Sequence, residues 1–233
     1  MAASIIILVV IAALVSAFNP YTIGVLITLS STVYGSGRGG RHVLGLGLTY
    51  ALTLFGASLV GGVLLLYAYS LVPQIAANYL TLGIGMLVVC AGLLEIKDFL
   101  WYGQGISTQL PRLTARNVKA LTKHRPRLLS AAMLGMFVAV TSLTSAGAPY
   151  FATIAAFQGQ FDANSIGLMT LYSGIFVFPM LVLLILIING VRVSTLMRWK
   201  EESKATMRLG VGLLLIMLGW ILILITSGML NLR

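Results

Sequence analysis

The sequence predicts an all-α integral membrane protein with six transmembrane helices arranged as two inverted three-helix repeats. Three observations predict it. Of 233 residues, 59% are hydrophobic and 9% charged, with a mean hydropathy of +1.01. Apolar runs long enough to cross a hydrocarbon core of about 30 Å fill most of the chain. The Lys and Arg residues gather in three segments separated by pairs of these runs, and a Pro-Tyr step recurs at residues 20–21 and 149–150.

The runs fall at roughly 4–34, 43–69, 75–96, 129–157, 166–190 and 207–229. The first is too long for one straight span. At its middle stands Ser16-Ala17-Phe18-Asn19-Pro20-Tyr21-Thr22-Ile23-Gly24. Pro20 removes a backbone donor and drives Asn19 out of helical geometry, so a break is expected there. Met1-Ala2-Ala3-Ser4 has no basic stretch, and the first run reads as retained rather than cleaved. The whole chain, 1–233, reads as one polytopic domain: half 1 at 1–96, a basic loop at 97–128 and half 2 at 129–233.

Of the 15 Lys and Arg, all but Arg233 lie in or beside segments 35–42, 97–128 and 191–206. The positive-inside rule puts those loops in the cytoplasm and both termini outside, in a multi-pass plasma-membrane protein. The net charge of +10 is then a topology signal, and no nucleic-acid partner is expected. In the long loop, Leu113, Val118 and Leu121 share a face bordered by Arg112, Arg116, Lys119 and Lys123, which fits a short interfacial helix. Trp101, Tyr102 and Trp199 stand where an aromatic belt belongs.

An odd number of spans per half inverts the halves in the membrane. Asn19-Pro20-Tyr21 in span 1 is echoed by Ala148-Pro149-Tyr150 in span 4, after the small and polar run 141–147. Two readings stay open. The broken spans line a shared cavity, or they are two kinks whose freed backbone groups neighbouring Ser and Thr satisfy. The candidate lining residues are Asn19, Pro20, Tyr21, Thr22, Thr144, Ser145, Gly147, Pro149 and Tyr150, with Thr141 and Ser142 beside them. Glycine pairs such as Gly45 and Gly47, Gly61 and Gly62, Gly83 and Gly85, and Gly210 and Gly212 read as packing positions.

Several chemistries are disfavoured. No Asp, Glu, Lys or Arg falls deep in a span, which argues against a proton relay. His42 and His124 are too few for a metal cage, and no serine has a base partner in its span. No cofactor and no metal is expected. Cys90 is the sole cysteine, so neither a disulfide nor a CxxC pair can form within the chain. In an apolar helix it reads as a small inert hydrophobe.

With these motifs in place, the chain resembles the transmembrane thiol–disulfide interchange and cytochrome c biogenesis family of the lysine-exporter-like superfamily. The family's Asn-Pro-Cys motif stands here as Asn19-Pro20-Tyr21. Its Pro-Cys-Thr-Gly-Gly-Pro-Tyr motif stands as Thr144-Ser145-Ala146-Gly147-Ala148-Pro149-Tyr150, and Glu95 to Gly105 is similar to the corresponding loop. The resemblance implies six spans in two inverted halves and a relay of reductant between thioredoxin-like partners. Both cysteines of that relay are replaced, by Tyr21 and Ser145. Exchange requires a thiolate attacking a disulfide sulfur, so the expectation is a redox-inactive relative. It would move a small neutral or cationic solute. The alternatives are a non-catalytic membrane partner or assembly subunit, and an electron relay in which Cys90 works with a partner's thiols.

Overall fold

A computed structural model describes residues 3–37, 39–100 and 127–227. Among these residues the chain is all-helical: α1 Ala3–Ala17, α2 Pro20–Gly35, α3 Gly40–Ser70, α4 Gln74–Leu100, α5 Leu128–Ala156, α6 Ala163–Ile188 and α7 Val193–Thr226. Four stretches are long and apolar enough to cross a membrane by themselves: α3, α4, α6 and the Ala205–Thr226 part of α7. Two bent units raise the number to six if each is one span. α1 and α2 meet at 45°, and the Leu128–Leu143 and Gly147–Ala156 parts of α5 at 74°. The outer faces are apolar. Leu52 and Leu64 of α3, Leu87 of α4, Phe178 of α6 and Trp220 of α7 are all exposed, as lipid contact requires.

Two sequence boundaries move. The span placed at 75–96 extends to Leu100, so Lys97 and Asp98 form the last turn of α4 rather than the start of a loop. The segment assigned to the 191–206 loop is helical from Val193. Its run of Leu196, Met197, Arg198, Lys200, Glu201 and Glu202 consists of strong helix formers, so propensity carries the helix out of the apolar span. The interfacial helix expected at 113–121, the aromatic pair Trp101 and Tyr102 and the basic residues from Arg112 to Arg125 lie outside the described residues.

α4 and α7 pack antiparallel along a seam of small residues. A Cβ on Gly92 would come within 2.7 Å of the Gly212 carbonyl oxygen, and one on Gly219 within 2.8 Å of the Gly85 carbonyl oxygen. Only glycine allows backbones this close. The neighbouring Gly83 and Gly210, also read as packing residues, face open space. At one end of the seam sits an ion cluster. Arg208 Nη1 donates to Asp98 Oδ2 at 2.6 Å and lies 3.9 Å from Glu95, while Lys97 Nζ is 3.0 Å from Asp98 Oδ1. Asp98 and Arg208 are both buried. At the other end, the Tyr69 hydroxyl ties α3 to α4 through the Ala77 carbonyl at 2.8 Å.

The remaining helices enclose a second packing centre. α3 packs on α5, where Gly135 lets the helix approach the Tyr50 carbonyl oxygen (2.8 Å from an added Cβ). α6 packs on α1 and α3, with Gly47 against Leu184 and Gly62 against Met169 and Tyr150.

Candidate functional site

The break in the first apolar run begins at Asn19. Its extended backbone (φ −68°, ψ 113°) makes it the N-cap of α2, and Pro20 takes the first helical position, where the missing N–H is no loss. The Asn19 Oδ1 accepts from the Tyr21 N–H at 3.0 Å, and the Thr22 hydroxyl donates to the Asn19 carbonyl at 3.0 Å. Asn19 is 8% exposed, and its Nδ2 has no hydrogen-bond partner. Thr22 is fully buried, and its carbonyl accepts from the Tyr50 hydroxyl at 3.3 Å. The bend is therefore capped at the start of α2, with one amide group left over.

The second bend is built differently. α5 continues as one helix from Leu128 through Pro149 to Ala156. Pro149 withdraws one intrahelical N–H, and the Thr153 hydroxyl donates to the Pro149 carbonyl at 2.9 Å. The two bent units touch where the Tyr21 hydroxyl and Thr141 Oγ1 lie 3.4 Å apart.

Beside this contact lies a cavity of ≈100 Å³ among α1, α3, α5 and α6. Its polar lining comes from Ser16, Ser58, Ser142, Tyr150 and Tyr172; Leu143 and Phe176 are among the apolar walls. The Ser16 and Tyr172 hydroxyls hydrogen-bond to each other, and the Tyr150 hydroxyl donates to the Ser58 carbonyl. Ser142 donates to the Ala139 carbonyl at 2.8 Å. The Tyr150 and Tyr172 rings meet edge to face at 5.3 Å. Ser173, next along α6, is fully buried with an unpaired hydroxyl. An enclosure of this kind suits a small uncharged molecule with one or two hydrogen-bonding groups. It holds no ionised side chain.

Of the residues expected to line a cavity, Tyr150 does so. Asn19, Thr22, Gly147 and Pro149 are buried but are not lining residues, and Tyr21 reaches α5 instead. The side chains of Pro20, Thr144 and Ser145 lie outside what the structure describes. Sequence reasoning missed Ser58, Tyr172 and Ser173, because it looked only along the proline-broken spans. The available signal was a polar residue inside an otherwise apolar run of α3 or α6. It also missed the pairing of Asp98, placed in the 97–128 loop, with Arg208, placed at the start of the 207–229 span.

Cys90 is exposed on α4 and is not a lining residue of the cavity. Among the described residues no group of three or more His, Cys, Asp or Glu could hold a metal ion. No family model matches the chain, and neither a characterised protein nor a solved structure matches it.

Proposed function

We propose that the protein is a six-span carrier of a small neutral solute, built from two inverted halves and bound to its cargo in the hydroxyl-lined cavity between them. The observation that carries this reading is the cavity itself. Both bent units reach it, through Ser16 on one side and Ser142 and Tyr150 on the other. Bent or broken helices flanking a central site are the usual means by which transporters let one half rock against the other.

The inverted arrangement draws support from the α4–α7 seam. The pairs Gly85–Gly219 and Gly92–Gly212 exchange when the halves are exchanged, Gly85 for Gly212 and Gly92 for Gly219. Two antiparallel third spans related by a two-fold axis would pack in this way. Kinship with the thiol-relay family rests on the Asn-Pro and Gly-x-Pro-Tyr steps. With Tyr21 and Ser145 in the cysteine positions, that kinship passes on the scaffold without the redox step. The basic segments assign the α3 and α5 N-termini to the cytoplasmic side of the plasma membrane. The lipid bilayer is then the one obligatory partner, and a thioredoxin-like protein has no thiol in the cavity to meet.

A second reading has its own observation. The Ser16 and Tyr172 hydroxyls satisfy each other, and those of Tyr150 and Ser142 donate to backbone carbonyls, as in a purely structural interface. In that case the protein is a non-catalytic subunit of a membrane assembly. Flux separates the two. Proteoliposomes holding the purified chain are loaded with radiolabelled neutral amino acids and polyols. Retention of every solute at the protein-free rate sinks the carrier reading. Where a solute is moved, Ser142→Phe fills the cavity and abolishes its flux, whereas Cys90→Ser leaves it intact. A mixed disulfide trapped between Cys90 and a thioredoxin-like protein would revive the electron relay.

A further inference from the structure

We propose that the groove between the first turns of α3 and α5 binds the phosphate headgroup of an anionic phospholipid. The groove encloses ≈620 Å³ and is lined by Arg41, His42, Gly45, Leu46, Arg127, Leu128 and Leu129. Three of the described lining residues carry side-chain nitrogen donors, and none of the described lining residues is a carboxylate. The acidic residues nearest in sequence to Arg41 and Arg127 are Glu95 and Asp98, and neither is among the groove's described lining residues. Arg41 and His42 are exposed in the first turn of α3, and Arg127 is exposed immediately before α5.

Backbone polarity adds to these side chains. α3 starts at Gly40 with no side-chain cap; the His42 N–H bonds the Gly39 carbonyl at 3.0 Å, and the positive end of the helix dipole lies beside Arg41. At α5 the Ser130 hydroxyl already accepts the Arg127 N–H at 2.9 Å, which fixes the start of that helix beside the groove. Guanidinium groups flanking an uncapped helix start are well matched to phosphate oxygens.

The groove's other side identifies the ligand as a lipid rather than a free ion or an acidic protein. Leu128 and Leu129 are 59% and 71% exposed, and Leu44 and Leu48 on the next turns of α3 are exposed as well. A soluble anion gains nothing from an apolar wall below its site. An acyl chain hanging from a bound headgroup covers that wall. Basic pockets at the cytoplasmic ends of membrane helices hold anionic headgroups for this combined reason. The inference does not depend on what the central cavity carries.

The full chain, purified in mild detergent and offered defined mixtures of phosphatidylglycerol and phosphatidylcholine, tests it. Native mass spectrometry counts the lipids retained. Wild type is expected to hold phosphatidylglycerol selectively. Arg41→Gln or Arg127→Gln lowers that retention about fivefold and the double variant about 25-fold, at roughly the contribution of one surface basic residue each. The Arg41→Lys, Arg127→Lys pair restores much of it. Arg198→Gln, which removes an exposed charge elsewhere, leaves it unchanged. Helical content by circular dichroism confirms that each variant is folded, and the single variants carry the test if the double one is not. Equal retention of the two lipids by wild type overturns the proposal. So does an unchanged double variant, or an Arg198→Gln loss as large as the groove variants'. Complete displacement by excess inorganic phosphate would overturn the lipid assignment in favour of a free anion.

Discussion

The α4–α7 seam and the cavity beside α1, α3, α5 and α6 solve opposite problems in one small protein. At the seam, paired glycines bring two backbones together, and a buried Asp98–Arg208 bond closes one end. In the cavity, aromatic rings and short hydroxyl side chains hold the helices apart and leave unfilled space. The seam has no room for a side chain to change position. The cavity wall is made of side chains that can exchange a partner hydroxyl for a ligand. The contrast teaches that stiffness and adaptability are assigned to separate helix pairs, so each can be broken without the other.

The largest effect is expected at the seam's ion pair. Arg208→Met deprives the Asp98 carboxylate of its buried partner and leaves the more exposed Lys97 as its remaining counter-ion. Breaking a buried pair on one side costs about 3–5 kcal/mol. Thermal denaturation of the purified protein should therefore show a large fall in midpoint for Arg208→Met. Adding Asp98→Leu should recover much of that fall, because it removes the fully buried carboxylate and leaves only the partly exposed Glu95 without Arg208. A single variant as stable as wild type would remove the pair from the list of what holds α4 to α7. Next comes Gly92→Ala. Its Cβ would meet the Gly212 carbonyl oxygen at 2.7 Å, and backbone cannot swing aside as a side chain can. Overpacking of this kind costs about 1–3 kcal/mol. Gly83→Ala, which faces open space on the same helix, is the matched control and should be neutral or slightly stabilising.

A smaller effect separates structure from function on the cavity side. Asn19→Ala removes the N-cap of α2 and is expected to cost about 1 kcal/mol. Asn19→Ser keeps an oxygen for the Tyr21 N–H and removes the unpaired Nδ2. It should restore the denaturation midpoint. If Asn19 serves only as a cap, Asn19→Ser also transports at the wild-type rate. If the leftover amide meets cargo during the transport cycle, stability returns and flux does not. Failure of Asn19→Ser to regain stability would contradict the capping geometry itself.

How much of this was legible in the sequence follows from which forces act locally. Apolar runs, the break at Asn19-Pro20 and the bend near Pro149 were legible, because chain length in a bilayer and a missing N–H act at the residue that carries them. The helical reach of α4 to Asp98 and of α7 from Val193 was not. There, helix propensity competes with polarity, and a hydropathy reading follows polarity alone. The cavity was half legible. Ser142 stood in a run already marked as polar and Tyr150 in the Pro-Tyr step after it, but Ser58 and Tyr172 become lining residues only when α3 and α6 fold against them. Gly85 and Gly212 were read as packing residues, yet so were Gly83 and Gly210, which contact nothing across the seam. Sequence shows that a glycine is present. Only the register of the facing helix shows which one is needed.

The smallest effect tests the connection between the two regions at the far end of α5. Asp162 caps α6, accepting the Ser165 N–H at 2.8 Å. The Ser165 hydroxyl and this N–H hold its carboxyl below the ordinary carboxylate value. A folded-state value below the unfolded one means the stabilisation is fully present above the unfolded carboxylate range and fades as pH falls through the folded value. Asp162→Asn keeps a capping oxygen but loses the charge at the helix start. Wild type should therefore denature at a slightly higher temperature than Asp162→Asn at neutral pH, and the two curves should converge in acid. The seam variant Gly92→Ala, with no titrating group changed, should keep a constant offset from wild type over the same range. An Asp162→Asn offset that is equally constant would mean that the capping carboxylate contributes nothing as a charge, and that α6 is held in place by its packing on α1 and α3 alone.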